Sequence, residues 1–166
     1  VTFGATGLGL VWSGCLGSVP AATDWPQWRG PSRDGLGNET GLLQEWPDGG
    51  PPLLWKATDL GLGHATVSIV GDRIYTAGDQ GKESFVVSLQ RPDGKLAWSS
   101  KLGKAGAPGW GNFKGVRGTP TVESGRVFAI GQYGELAAYD AQSGKELWRR
   151  HFKDDFGGKM PEWGYS

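Results

Sequence analysis

Hydrophobic and polar positions from residue 53 onward follow a strand pattern that occurs twice. The segment at 71–78 matches the segment at 124–131 position by position, and 94–98 matches 144–148 in the same way. Apolar residues at 127–130 occupy both faces of a short strand, which is typical of a sheet packed between two others. The pattern therefore predicts two similar units of short strands stacked face to face.

Each unit is predicted to contain four antiparallel strands. In the second unit we expect these at about 118–122, 126–130, 135–140 and 145–151. Short sequences that favour tight turns separate them, because glycine adopts a positive φ without steric cost. These turn sequences are Gly71-Asp72, Ser124-Gly125, Asp93-Gly94 and Ser143-Gly144. Repeated four-stranded units of this kind predict an all-β fold, a β-propeller built from radially stacked blades.

A tryptophan ends each unit, at Trp98 and Trp148, and Trp55 belongs to a third copy of that ending at 53–56. We therefore expect a partial propeller over residues 53–166. It would consist of a lone N-terminal outer strand near Trp55 followed by complete blades at about 65–100 and 118–151. Since a propeller closes with roughly 4–8 blades, the chain is expected to be a fragment of a longer protein whose remaining blades cover the open faces.

The first charged residue is Asp24, and residues 1–22 are rich in Gly, Ala, Leu and Val. We interpret residues 1–22 as an export signal or a membrane anchor, with small residues near Ala21 suited to cleavage. Cys15 follows Ser-Gly and is a candidate for lipid attachment. Frequent proline and glycine predict an irregular segment at 23–52. The protein is therefore expected in the periplasm or cell envelope.

The charge and the cysteine content limit the kinds of binding site that the chain can form. Seventeen basic and seventeen acidic residues give a formal net charge of zero, without the basic patch that nucleic-acid binding needs. One cysteine and two histidines make an intrachain disulfide impossible and a Cys-pair or His-rich metal site unexpected. We therefore predict no metal site, and membrane contact only through the N-terminal segment.

Residues 139–148, with Asp140-Ala141, Gly144-Lys145 and Trp148, resemble the pyrroloquinoline-quinone-like repeat of β-propellers. The corresponding stretch at 89–98 keeps Gly-Lys-x-x-Trp but lacks the Asp-Ala pair, and the opening at 24–31 resembles the start of exported members. The resemblance implies that Trp98 and Trp148 dock on neighbouring blades. It also implies that Gly94 and Gly144 form the turns that aim them. The implied structural repeat residues are Trp55, Gly94, Trp98, Asp140, Gly144 and Trp148.

No catalytic residue is predicted, because the sequence lacks a Gly-x-Ser-x-Gly motif and a phosphate-binding loop. The best binding candidates are loops that lead into the first strand of a blade, since those strands line the channel of a propeller. Aromatic and arginine side chains there are favoured interface anchors. These candidates are His64, Trp110, Asn112, Arg117, Trp163 and Tyr165.

The resemblance leaves two functions open. The first is a non-enzymatic scaffold outside the cytoplasm, similar to outer-membrane assembly lipoprotein propellers, which binds other proteins or a small ligand and needs no cofactor. The second is part of a quinoprotein dehydrogenase that oxidises an alcohol or sugar with pyrroloquinoline quinone and calcium. Such enzymes stack the quinone between a tryptophan and a vicinal cysteine disulfide, and the chain has only Cys15.

Overall fold

A computed structural model describes residues 24–108 and 113–166 of the chain. The described residues form two four-stranded antiparallel sheets with strand orders β1-β2-β3-β4 and β5-β6-β7-β8, and one short helix, α1. Their bounds are β1 Ser68–Val70, β2 Arg73–Gln80, β3 Glu83–Gln90, β4 Leu96–Lys104, β5 Thr121–Glu123, β6 Arg126–Ile130, β7 Glu135–Asp140, β8 Glu146–His151 and α1 Phe152–Phe156.

The turns between strands lie where the sequence places them. Gly71 joins β1 to β2 with a φ of +55°, and Ser124 and Gly125 join β5 to β6 with φ of +49° and +72°. Such left-handed residues match the twist of a tight hairpin. The predicted strands of the second unit are confirmed, although β5 begins at Thr121 rather than at 118.

The structure corrects the expected lone strand around Trp55. Residues 53–57 form no strand, because a strand needs a hydrogen-bonded partner and no described strand pairs with them. The short helix α1 was not predicted, and it continues directly from β8 at Phe152. Its end at Gly157 has a φ of +64°, the left-handed conformation that commonly stops a helix.

The main core lies between the two sheets. Strands β2 to β4 and β6 to β7 contribute buried apolar side chains to it, so a face of each sheet is covered by the other. Its buried members include Tyr75, Val86, Trp98, Leu102, Val127, Ala137 and Tyr139. A smaller cluster on the opposite face of the first sheet packs Ile74, Val87 and Leu89 against Trp55 and Leu60. The first sheet is therefore covered on both sides.

Trp98 of β4 docks on the β7–β8 turn of the second sheet. Only 8% of this residue is exposed, and its Nε1–H donates to the Ala141 carbonyl at 3.0 Å. A Cβ on Gly144 would lie 2.5 Å from the Trp98 ring, so only glycine leaves room for the indole. Burial of an indole removes about 150–250 Å² from water, which stabilises the contact by at most about 4–6 kcal/mol.

Trp55 makes the same contact with the β3–β4 turn of the first sheet. Its Nε1–H donates to the Arg91 carbonyl at 3.0 Å, and a Cβ on Gly94 would lie 2.5 Å from its ring. Each repeat glycine thus has two roles. It shapes the turn that precedes the tryptophan of its own unit, and it leaves room for the tryptophan of the preceding unit. Although 53–57 is not a strand, Trp55 occupies the position that an outer-strand tryptophan would take.

Trp148 occupies the position in β8 that Trp98 occupies in β4. It is 37% exposed and contacts the Phe128 ring, with centroids 6.1 Å apart. The described residues contain no third turn of this type to receive it.

The two turns that receive these tryptophans differ in the side-chain hydrogen bonds that support them. Asp140 accepts from the Ser143 N–H at 2.8 Å and the Ser143 hydroxyl at 2.6 Å, and these bonds lower the pKa of the Asp140 carboxyl. In the first unit Gln90 takes the place of Asp140, and Asp93 instead accepts from the Lys95 N–H at 3.0 Å. The backbone bond that closes the turn is retained, from Gly94 to Gln90 and from Gly144 to Asp140.

The Gly144→Ala substitution tests the docking contact, with Gly125→Ala as the matched control. Both glycines have nearly the same φ, +71° and +72°, but a Cβ on Gly125 would meet nothing within 4 Å. We expect Gly125→Ala to lower the free energy of unfolding by about 1 kcal/mol and Gly144→Ala by about 2–4 kcal/mol, because the latter also displaces Trp98. Urea denaturation measures both, and equal losses would contradict the docking role.

Candidate functional site

The loops that lead into first strands bring several predicted binding residues to one end of the sheets. We call the residues His64, Phe113, Arg117, Trp163 and Tyr165 the lead-in surface. Antiparallel connectivity places these loops at the end of the sheets opposite the β3–β4 and β7–β8 turns. Trp110 and Asn112, also predicted, lie outside the described residues.

Arg117 holds two aromatic loops together. Its Nη2–H donates to the Phe113 carbonyl at 2.8 Å, and its Nη1–H donates to the Trp163 carbonyl. The Phe113 and Trp163 rings consequently lie with centroids 5.8 Å apart and remain 50% and 47% exposed. Sequence reasoning identified Arg117 and Trp163 but missed Phe113, although it directly follows the candidate at position 112.

Tyr165 packs against its own loop and the neighbouring helix α1. Its ring stacks on Phe152 of α1 with centroids 5.0 Å apart and an interplanar angle of 12°. Its hydroxyl donates to the Lys159 carbonyl at 2.8 Å, and its backbone N–H donates to the Gln132 carbonyl at 3.1 Å. Tyr165 therefore fixes the loop that carries Trp163.

His64 lies on the loop that leads into β1, and this loop is hydrogen-bonded through its backbone to the loop that leads into β5. Its N–H donates to the Val116 carbonyl at 2.7 Å, and Gly63 forms a parallel bridge with Val116. The His64 side chain is exposed. The two lead-in loops are thus joined through their backbones immediately before Arg117.

Asp79 anchors this end of the sheets from inside. Its Oδ1 accepts from the Ser84 hydroxyl at 2.6 Å, and its Oδ2 accepts from the Gly106 N–H and the Gln132 Nε2–H, both at 2.9 Å. Asp79 and Gln132 are buried; Asp79 belongs to β2 of the first sheet, and Gln132 lies in the turn that joins β6 to β7 of the second sheet. A buried carboxylate needs such donors, so its oxygens are committed to connecting the two sheets. Sequence reasoning missed this pair, although a carboxylate at the end of an apolar strand was a signal.

Tyr139 provides a second buried polar contact between the sheets. Its hydroxyl donates to the Lys101 carbonyl at 2.7 Å, and the Arg149 guanidinium also donates to that carbonyl at 2.9 Å. Burial raises the pKa of Tyr139 to about 12, with the Arg149 charge opposing that rise. The phenol therefore stays protonated and serves as a donor between sheets.

Metal and quinone sites each require a particular set of side chains. Among residues 24–108 and 113–166, no three His, Cys, Asp or Glu side chains are grouped as a metal ion would require. The quinone site that the family resemblance implies needs a vicinal cysteine pair, and Cys15 is the single cysteine of the chain. The residues present therefore do not fit that quinone site.

No helix in the described part of the chain is long and apolar enough to cross a membrane.

The comparison that decides the family concerns the second half of the chain. A family model of pyrroloquinoline-quinone repeats, described as outer membrane protein assembly factor BamB, matches residues 82–162. Residues 82–162 are pyrroloquinoline-quinone-like repeats. The matched range runs from the start of β3 past α1 and includes the Trp98–Gly144 contact.

Two relatives of these pyrroloquinoline-quinone-like repeats differ in function. Outer membrane protein assembly factor BamB from Escherichia coli K12 is 35% identical over 74 residues, which cover 44% of the chain and 18% of that protein. Quinoprotein ethanol dehydrogenase from Pseudomonas putida is 30% identical over 105 residues, which cover 56% of the chain and 16% of the enzyme. The matches thus span less than a fifth of either relative.

A solved quinohemoprotein alcohol dehydrogenase from Pseudomonas putida HK5 is 25% identical with a TM-score of 0.47. The match covers 63% of the chain and 15% of that structure.

The raised pKa of Tyr139 predicts a loss of stability at high pH. The folded phenol titrates at about 12, whereas an unfolded tyrosine titrates near pH 10, so the unfolded state loses its proton first as pH rises. The stabilisation from this difference is complete below about pH 10 and lost as pH approaches about 12. We expect the stability advantage of the native protein over Tyr139→Phe to fall by about 2 kcal/mol across this interval. Denaturation at several pH values measures it, and parallel curves for the two proteins would contradict the assignment.

Proposed function

We propose that the chain is part of a non-enzymatic propeller of the cell envelope that binds other proteins through its lead-in surface. The observation that carries the proposal is the exposed Phe113–Trp163 pair, whose two loops are held by Arg117. Similarity to outer membrane protein assembly factor BamB supports a role in outer-membrane protein assembly.

The geometry of the aromatic pair suits a protein partner. Aromatic and arginine residues are enriched in protein interfaces and dominate their binding energy. Because Arg117 bonds both loops through their carbonyls, the two rings are already placed before a partner arrives. Such preorganisation lowers the entropic cost of association.

The buried polar groups between the two sheets are used for structure. Both Asp79 oxygens accept hydrogen bonds from the protein, and the Tyr139 hydroxyl is bonded to the Lys101 carbonyl. A general base or nucleophile needs a reactive atom that can reach a substrate. These side chains therefore support a binding surface better than a catalytic one.

Export belongs to the same proposal. Residues 1–22 are uncharged and would direct the chain to the periplasm or hold it in the cell envelope, as a cleaved signal, a lipid anchor at Cys15 or a membrane anchor. The partner is then an outer-membrane protein or a component that assembles one. No cofactor is needed for this function.

The second candidate is part of a quinoprotein dehydrogenase, which the similarity to quinoprotein ethanol dehydrogenase favours. Pyrroloquinoline quinone with calcium would supply the oxidation of an alcohol or sugar. With only one cysteine in the chain, the vicinal pair of that site would have to come from other residues of the protein.

Photocrosslinking tests the scaffold function in the full-length protein. A photoreactive phenylalanine analogue replaces Phe113 or Trp163, and Lys95 serves as the control position. Lys95 is exposed but lies in the β3–β4 turn at the opposite end of the sheet. We expect light-dependent adducts with an outer-membrane protein or its assembly machinery at positions 113 and 163 and none at 95. Equal labelling at all three positions, or none at 113 and 163, would contradict the proposal.

The dehydrogenase alternative has its own readout. The full-length protein is incubated with pyrroloquinoline quinone and calcium, and reduction of a dye is followed with primary alcohols and aldose sugars. The scaffold function predicts no reduction above the protein-free control. Substrate-dependent dye reduction would support the dehydrogenase instead.

A further inference from the structure

The segment from Asp24 to Leu36, which we call the clasp, folds on itself through consecutive turns. The Gly30 N–H donates to the Gln27 carbonyl at 3.0 Å, and the Gly35 N–H donates to the Arg29 carbonyl at 3.0 Å. The Gln27 side chain closes the loop, donating to the Pro31 carbonyl and accepting from Arg33 Nε–H. The clasp is thus a compact unit rather than an extended tail.

The start of the clasp is hydrogen-bonded to both sheets. Trp25 and Ile69 exchange two backbone bonds, at 2.7 and 2.8 Å, in an antiparallel bridge. The next residue, Pro26, accepts from the Val122 N–H at 2.7 Å. Asp24 Oδ1 also accepts from the Gly71 N–H at 2.9 Å. Two adjacent clasp residues therefore connect to different sheets.

The partners of the clasp lie on the free edges of the sheets. Ile69 belongs to β1 and Val122 to β5, which are the terminal strands of their sheets. Unpaired edge strands expose donors and acceptors that readily pair with another chain. The clasp occupies part of both edges, and Pro26 suits this position because it contributes only a carbonyl.

Sequence-specific packing keeps the clasp in its bound shape. Gly30 has a φ of +79°, and a Cβ there would lie 2.8 Å from the Trp25 ring. The Trp25 ring therefore covers Gly30 directly, and the backbone of the same Trp25 makes the hydrogen bonds to the β1 edge. Further along, Trp28 is 60% exposed and lines a cavity of about 450 Å³ together with Arg117, Thr119 and Thr121. The clasp thus extends to the neighbourhood of the lead-in surface.

We propose that the clasp locks the two adjacent blades together through its backbone hydrogen bonds to the free edges of β1 and β5, so that these two edges open and close as one unit. The occupant of both edges is a segment of the same chain, held by main-chain hydrogen bonds to groups that an edge strand leaves unpaired. This role is independent of which protein or ligand the propeller binds.

Hydrogen exchange in the full-length protein tests this coupling, with Gly30→Ala as the perturbing variant. The matched control is Gly41→Ala, because Gly41 has a similar φ of +71° but a Cβ there would meet nothing within 4 Å. We expect Gly30→Ala to accelerate exchange of both the Ile69 and Val122 amides by about tenfold or more, since each loses a backbone acceptor. Gly41→Ala should change neither amide.

Amides in the centre of β3, such as Val87, show whether the sheets remain folded. A second variant, Asp24→Ala, removes only the side-chain bond to Gly71 and should accelerate Ile69 and Val122 together but less strongly. The proposal is wrong if either variant accelerates Ile69 while Val122 stays protected. It is also wrong if neither amide responds to Gly30→Ala while Val87 remains protected.

Discussion

The insertion of an indole against a glycine of the neighbouring turn determines how this chain is organised. It occurs with Trp98 on Gly144 and with Trp55 on Gly94, each time with the indole N–H bonded to a carbonyl of the turn. A side chain on either glycine would occupy the space of the ring. Because the contact joins one unit to the next, it sets their relative position, and the apolar faces of the sheets can then pack against each other.

Polar contacts complete the interface between the blades. Asp79 and Gln132 join the sheets at the lead-in end, whereas Tyr139 joins the second sheet to the carbonyl of Lys101 in β4. The Asp79 carboxylate and the Tyr139 hydroxyl are committed to hydrogen bonds within the protein, so contact with an outside molecule falls to the loops. The lead-in surface is displayed there on a rigid support, which is the usual arrangement for binding residues.

Much of the fold could be predicted because its signals are local. Tight turns such as Ser124-Gly125 and the repeated Gly-Lys-x-x-Trp endings identify strands and repeats without knowledge of distant contacts. Contacts between units could not be predicted in this way: nothing in the sequence pairs Asp79 with Gln132. The same reason explains why the sequence assigns Gly94 only to its own turn, and why Phe113 is a candidate binding residue only once Arg117 is known to hold its loop.

The exchange rate of the Trp98 indole N–H tests the docking contact most directly. If the indole is buried against the second sheet and bonded to the Ala141 carbonyl, this proton exchanges as slowly as backbone amides in the centre of β3. Nuclear magnetic resonance of the full-length protein in heavy water measures both rates. Exchange of the Trp98 indole proton at the rate of an exposed tryptophan such as Trp28 would contradict this account.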